Sequence, residues 1–280
     1  MKHLFIKHNF RALIALFYLS FAFASCDDIE EKDRSIHVGE IEVTRTVLLE
    51  EFTGQLCTNC PQAAALAAVI KANLGEQFVV VSMHAGHYAK PMELYSELAQ
   101  EYHDYFYTES QKAYPSGMIS RTKNASSYIY GNYSNWESDV IKRLEKDFLE
   151  DREFSLDVAV EYEQASNTIK VNSTIETVDS LSGVKLQLWI TESGIEAYQS
   201  GASIPDPTKY VHNHVLRDAV NGTWGEVIPF IEAEDIYETE STYSLGGKTW
   251  NPNNMEVVAF VYDENTKEVL YVIEKKLINN

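Results

Sequence analysis

Two cysteines separated by two residues are the chemically most informative feature of this 280-residue chain. Cys57 and Cys60 follow an apolar, strand-like segment and open an Ala-rich segment that is predicted to be helical. Two thiols with this spacing at a helix N-terminus form a reversible dithiol/disulfide couple. A plain structural disulfide is the alternative, because folds outside the cytoplasm keep such bridges.

The third cysteine, Cys26, follows a segment with the pattern of a secretory signal. Residues 1–25 have a basic front and an uncharged apolar core that is too short to span a bilayer comfortably. Small residues precede Cys26, as in substrates of signal peptidase II. We therefore predict a lipoprotein signal peptide at 1–25 and acylation of Cys26, which would anchor the mature chain in a membrane. Cleavage near Ser25 without acylation, or an uncleaved anchor, is the alternative.

The segment after Cys26 and the overall charge narrow the choice of partners. Residues 26–42 are polar and begin with an acidic run, so we predict a flexible tether. The chain has a formal net charge of −19. Such a surface repels phosphate backbones, and a nucleic-acid partner is therefore not expected.

Residues 43–150 have the pattern of an α/β domain. A buried strand is predicted at 43–52, an Ala-rich helix at 61–74 and a second buried strand at 78–83, which together make a βαβ unit. The remaining predicted elements are a helix at 91–113, a strand pair at 116–121 and 127–130, and a helix at 134–149.

This order of elements resembles thioredoxin-like proteins. The resemblance is carried by segment 47–57, which ends in the first cysteine, and by segment 114–117. It implies that Glu51 is the buried acid of that family, and that Tyr114 and Pro115 form its cis-proline loop, where a substrate peptide could pair. A solvent-facing Glu51 and an ordinary trans proline are the alternatives.

The same resemblance assigns chemical roles around the cysteine pair. Cys57 would be the exposed, attacking thiol, with a pKa lowered by the helix N-terminus. Cys60 would resolve a mixed disulfide, and Glu51 would exchange its proton. His84 and His87 follow the second strand and could complete a zinc site with the two cysteines. Their separation matches no common zinc-finger pattern, so we interpret His84 as a loop residue or as one that tunes the thiols.

Residues 151–280 change to a pattern of alternating apolar and polar residues. Several short strands with turns between them predict an antiparallel β-sandwich of the immunoglobulin-like kind. The strands are predicted at 154–163, 168–177, 184–192, 255–262 and 268–276, with an irregular excursion at 204–231. Within the excursion, His212 and His214 would share one face of a strand, but no third ligand is evident. No metal and no cofactor are therefore predicted.

The whole mature chain resembles the outer-membrane lipoproteins of the Bacteroidetes, in the twenty-eight-kilodalton class, which carry a thioredoxin-like domain before a β-sandwich. The acidic run behind Cys26 is similar to the export signal of such lipoproteins. The resemblance implies an outer-membrane location on the cell surface, with the periplasmic face as the alternative. It is carried by the segments 47–57, 114–121, 210–217 and 222–226.

Two functions compete at this point. The first is thiol-disulfide exchange with a protein substrate, through Cys57, Cys60 and Glu51. The second is a cell-surface binding or adhesion module for an extracellular protein or glycan, in which the thioredoxin-like domain (43–150) is a scaffold, the cysteine pair is a structural disulfide and the sandwich (151–280) binds.

Overall fold

The computed structural model describes residues 46–107, 113–145 and 154–278, all of which lie in one compact unit, Val43–Asn280. The predicted signal peptide, tether and acylated Cys26 lie outside the described residues. The helices are α1 (Cys60–Leu74), α2 (Glu97–Phe106) and α3 (Trp136–Glu145), with single 3₁₀ turns at Gly75–Gln77, Tyr133–Asn135, Pro207–Lys209 and Pro252–Asn254. The strands are β1 (Val47–Thr53), β2 (Phe78–His84), β3 (Ser116–Ile119), β4 (Phe154–Glu163), β5 (Thr168–Thr177), β6 (Val184–Glu192), β7 (Ile195–Ala197), β8 (Tyr210–His212), β9 (Val215–Ala219), β10 (Glu226–Val227), β11 (Ile236–Ser244), β12 (Met255–Asp263) and β13 (Val269–Lys276).

The predicted βαβ unit is present. Strands β1 and β2 are parallel and in register from Val47 opposite Phe78 to Thr53 opposite His84, while β3 pairs antiparallel with β1. All seven side chains of β1 are buried, because helices cover both faces of this part of the sheet. Helices α1 and α3 cover one face and α2 covers the other, so alternate β1 side chains enter two different cores.

Two of the predicted helices differ in length from the observed ones. Helix α2 begins only at Glu97, because the Ser96 hydroxyl accepts a hydrogen bond from the backbone N–H of Ala99 and caps it there. It ends at Phe106, and Tyr107 already has extended backbone. Helix α3 begins at Trp136, two residues after the predicted start.

One eight-stranded sheet runs through both halves of the chain. Its order is β13-β12-β6-β9-β2-β1-β3, with β10 paired to β6. The two halves join where Ser82 of β2 pairs in parallel with Val215 of β9. The predicted boundary between residues 150 and 151 lies outside the described residues, and the division into two domains stays a prediction.

The second half also forms a three-stranded antiparallel sheet, in the order β11-β5-β4. Its buried side chains share a hydrophobic core with β6 and β12 of the large sheet.

The strands predicted at 154–163, 168–177 and 184–192 are confirmed. The excursion is less irregular than predicted, because it contains β8, β9 and β10. The chain is thus a mixed α/β protein dominated by β-sheet, and no helix among its described residues could cross a membrane.

Candidate functional site

Cys57 and Cys60 form a disulfide at the start of α1. The backbone N–H of Cys57 donates to the carbonyl of Gly54 at 2.9 Å, which closes the turn between β1 and the helix. Helix α1 begins at Cys60, and Pro61 follows in the first turn, where its missing N–H is not needed. Local sequence therefore explains why the pair lies at a helix N-terminus.

Both cysteines are buried. Cys57 is 3% exposed and Cys60 is 2% exposed. The expectation that Cys57 would be an exposed thiol is therefore wrong. The physical reason is a segment from the second half of the chain, Tyr198–Gly201, which lies across the cysteine loop and which we term the cap segment.

The cap segment is fixed to the cysteine loop by hydrogen bonds. The Gln199 side-chain amide donates to the carbonyl oxygen of Cys57 at 2.9 Å, and the N–H of Ser200 donates to the carbonyl of Gln55 at 2.8 Å. Gly201 has a φ of +75°, and a Cβ there would lie 2.1 Å from the carbonyl oxygen of Thr58. Only glycine allows this approach.

A cavity of about 460 Å³ lies beside the disulfide. Its walls come from the ends of β1 and β2, the first turns of α1, and the excursion of the second half. The polar and sulfur-bearing residues that line it include Glu51, Thr53, Cys60, Gln62, Ser82, His84, Gln199, Ser203, Tyr210, His212, Asn213 and His214. Cys60 is in this wall and Cys57 is not, so the cavity reaches the disulfide from the Cys60 side.

Glu51 is an acid of the cavity wall whose pKa is strongly raised. Its side chain is 1% exposed, and Oε1 has no hydrogen-bond partner among the described residues. Burial raises the pKa of Glu51 to about 8, although the positive charge of His214 opposes the shift. Glu51 is therefore mainly a neutral carboxylic acid at neutral pH and can donate a proton.

His84 and His212 are a second buried pair in the cavity wall. Their ring centroids lie 5.4 Å apart. Burial lowers the pKa of His84 to about 3 and that of His212 to about 4, so both imidazoles are neutral. His84 and Cys60 line the same cavity, whereas the His87 ring lies against Tyr88 at a centroid distance of 4.0 Å, with the two ring planes inclined by 41°.

His212 and His214 do not share a strand face, which corrects the prediction. Strand β8 ends at His212, and His214 has a φ of +55°, so the chain turns between them. His214 Nδ1 instead lies 3.7 Å from an oxygen of Glu256 and 3.6 Å from an oxygen of Glu274. Burial lowers the pKa of His214, but the two carboxylates more than offset it and raise the value to about 9.

The Tyr114–Pro115 peptide bond is cis. The Tyr114 ring packs against aromatic side chains from β2's following loop and from α2, and neither Tyr114 nor Pro115 lines the cavity. Glu51 and Cys60 thus line the same cavity. Pro115 precedes Ser116, which pairs with Phe52 at the end of β1, and a role of Tyr114 and Pro115 in substrate pairing stays a prediction. Sequence reasoning missed Gln199, Glu256 and Glu274, because each contacts a residue in another part of the chain and no local signal marks such contacts.

The profile of the family described as "Outer membrane protein Omp28" matches residues 99–280. The fold and this match define an outer-membrane protein of mixed α/β architecture. The chain belongs to the Omp28 family. The matched residues begin after the cysteine pair, so the family match does not extend to the disulfide.

Several solved structures are similar to this chain. "HBP35 of Porphyromonas gingivalis" is 15% identical over 84% of this chain and 76% of that chain, with a TM-score of 0.66. Protein AGR_C_4864 from Agrobacterium tumefaciens is 12% identical over 85% of this chain and 96% of that chain, with a TM-score of 0.52. Both likenesses concern the fold alone. A domain of the outer membrane lipoprotein Omp28 from Porphyromonas gingivalis is 28% identical over 45% of this chain and 88% of that chain, with a TM-score of 0.32. A search of curated proteins gives no match.

Proposed function

We propose that this protein is a lipid-anchored outer-membrane protein whose Cys57–Cys60 pair exchanges disulfides with thiols that enter the cavity. The observation that carries the proposal is the shared cavity wall of Cys60 and Glu51. A buried disulfide next to a neutral acid has a proton donor for the thiolate that forms when the disulfide opens.

The exchange proceeds in two steps. A substrate thiolate attacks Sγ of Cys60, which forms a mixed disulfide, breaks the Cys57–Cys60 bond and releases Cys57 as a thiolate. A second substrate thiolate then attacks the substrate sulfur, and Cys60 leaves as a thiolate that takes the proton of Glu51. Two electrons pass from the substrate to the pair, and the substrate leaves as a disulfide. In this scheme Cys60, rather than Cys57, forms the mixed disulfide with the substrate. The roles of the two cysteines are thus exchanged relative to those expected from the sequence, because Cys60 lines the cavity and Cys57 does not.

We also propose that the first half of the chain is thioredoxin-like and that the second half is an immunoglobulin-like sandwich. The β1-α1-β2 unit with antiparallel β3 supports a thioredoxin-like arrangement for residues 43–150. The three-stranded sheet, which shares a core with β6 and β12, supports an immunoglobulin-like sandwich for residues 151–280.

Single-cysteine variants test the exchange proposal. With Cys26 replaced by serine, only the pair supplies thiols. We expect Cys57→Ser, which leaves Cys60 facing the cavity, to form a mixed disulfide with oxidised glutathione about tenfold faster than Cys60→Ser. Intact mass against time measures both rates. If Cys60→Ser reacts faster, the order of attack is wrong, and if neither folded variant reacts, the exchange proposal fails.

The anchor is tested separately. Acylation at Cys26 is expected to place labelled fatty acid on the wild-type chain and none on Cys26→Ser, measured after metabolic labelling in a bacterium that acylates lipoproteins. Loss of the chain on protease treatment of intact cells would place it on the cell surface, whereas protection would place it on the periplasmic face.

The burial of both cysteines favours a second candidate function. A disulfide held under the cap segment can serve as a cross-link in a module that binds an extracellular protein or glycan. In that case Cys57→Ala/Cys60→Ala binds an array of extracellular proteins and glycans as wild type does, while the wild-type pair shows no exchange with glutathione. The two measurements together decide between the candidates.

A further inference from the structure

Three side chains from distant parts of the chain converge at the edge of the cavity. His214 lies in the turn between β8 and β9, while Glu256 and Glu274 lie on the neighbouring strands β12 and β13. Glu256 is opposite Lys276, and Glu274 is two residues from that position. The two carboxylates are therefore diagonal neighbours on one face of the sheet.

The facing atoms of these side chains have only one another as partners among the described residues. His214 Nδ1, Glu256 Oε2 and Glu274 Oε1 are inaccessible to solvent and make no hydrogen bond within the described chain. Side-chain exposure is only 26% for His214, 16% for Glu256 and 12% for Glu274. Buried polar atoms are nearly always paired, and the contacts of 3.6 and 3.7 Å are longer than hydrogen bonds. Either a proton on His214 or a bound cation must therefore compensate the two carboxylates.

The spacing of the three atoms fits one small cation. His214 Nδ1 is 3.7 Å from Glu256 Oε2 and 3.6 Å from Glu274 Oε1, and all three lie within 4.8 Å of one another. Zinc bonds of about 2.0–2.1 Å in a tetrahedron separate ligand atoms by about 3.3–3.4 Å. The two distances from His214 are thus within a few tenths of an ångström of the required value, and the two carboxylate oxygens lie within 4.8 Å of each other.

Hydrogen bonds fix two of the ligands in place. Lys71 Nζ donates to Glu274 Oε2 at 2.8 Å, which leaves Oε1 free to bind through one oxygen. The backbone N–H of His214 donates to the Ser193 hydroxyl at 3.0 Å, and its carbonyl accepts from the N–H of Ser82 at 2.8 Å. Such outer contacts orient metal ligands in proteins.

We propose that His214, Glu256 and Glu274 bind a divalent transition-metal ion of the Zn²⁺ type at the cavity edge. One imidazole and two carboxylates suit such an ion, and three protein ligands leave a fourth position for water or a ligand from the cavity. Without a metal ion, a protonated His214 between two carboxylates is the competing state, and metal binding must displace that proton.

Zinc titration of the untagged, oxidised full chain tests the site. Oxidised protein is used, with Cys26→Ser in every variant, so that no thiolate competes for the ion. After treatment with chelator, isothermal titration is expected to give one Zn²⁺ per chain, and Glu256→Gln to weaken the affinity at least about tenfold, since second-shell losses alone cost 10–100-fold. Exposed Glu238→Gln on β11 carries the same charge change and should bind as wild type.

Thermal unfolding is the second measurement. It distinguishes a variant that has lost the metal site from a variant that binds poorly because it is misfolded. Zn²⁺ is expected to raise the Tm of wild type and of Glu238→Gln equally, and to raise that of Glu256→Gln less at the same Zn²⁺ concentration. Equal Zn²⁺ affinity in Glu256→Gln and Glu238→Gln, or no binding by wild type, would overturn the proposal. Tighter binding of Ca²⁺ than of Zn²⁺ would overturn the metal class.

Discussion

Glu51 and its neighbour Glu50 show how adjacent acids on one strand take opposite roles. Their side chains point to opposite faces of β1. Glu50 is fully buried and ion-paired, with Arg121 Nε and Nη2 each 2.9 Å from one of its oxygens. Glu51 is buried with an oxygen that has no hydrogen-bond partner among the described residues, and it lines the same cavity as Cys60. The first contributes to the core, and the second is available for proton transfer.

The raised pKa of Glu51 predicts a pH-dependent stability. The folded protein holds the proton up to about pH 8, while the unfolded chain releases it near 4.5. The contribution of Glu51 to the free energy of unfolding is therefore greatest below pH 4.5, falls as pH rises and levels off above 8. Glu51→Gln removes this loss and should be more stable than wild type by roughly 1–3 kcal/mol at pH 8.

Urea unfolding at several pH values, with chelator present, measures this effect. The difference between Glu51→Gln and wild type isolates Glu51, because the other titrating groups are common to both proteins. Parallel pH profiles for the two proteins would show that Glu51 is not a buried neutral acid.

Substitution of Arg121 is expected to lower the stability of the fold strongly. Its guanidinium is 1% exposed and lies between 5.2 and 5.6 Å from the centroids of five aromatic rings. Arg121→Met leaves the carboxylate of Glu50 buried without its cation, and should cost roughly 3–5 kcal/mol in chemical unfolding. Glu50→Gln/Arg121→Met removes both charges and is expected to recover part of that loss; a double variant no more stable than the single one would contradict this.

Among the structural elements, the cap segment is expected to limit access to the disulfide, because it is hydrogen-bonded to the cysteine loop. Gly201→Ala forces a Cβ to 2.1 Å from the carbonyl oxygen of Thr58, which must displace the segment. We expect the disulfide of this variant to be reduced by dithiothreitol about tenfold faster than in wild type. Gly222→Ala is the matched control, since Gly222 has a φ of +82° with no atom within 4 Å of a Cβ. Similar rates in the two variants would show that the cap segment does not limit access.

The elements also show which parts of the fold can be predicted from sequence. Strands β4, β5 and β6 were predicted with the observed bounds, because alternation of apolar residues is a local signal. The start of α2 at Glu97 depends on a serine cap inside a segment with helical composition. The cap segment and the His214 cluster bring together residues that are far apart in the sequence, and composition carries no information about such contacts.

Across the whole molecule, the continuous sheet predicts cooperative unfolding. Aromatic residues of both halves, such as Tyr102 and Trp189, share one core. We expect one calorimetric transition, with the calorimetric and van't Hoff enthalpies equal. Two separate transitions would instead support independent domains on either side of residue 150.

The central claim is that the Cys57–Cys60 pair exchanges electrons with thiols, and a redox titration tests it most directly. The untagged chain is equilibrated in buffers of defined glutathione or dithiothreitol ratio, quenched in acid, and its free thiols are alkylated and counted by mass. The account predicts a midpoint between about −180 and −270 mV, the range of proteins that exchange disulfides. A midpoint below about −300 mV would identify a structural bridge and contradict the proposed function.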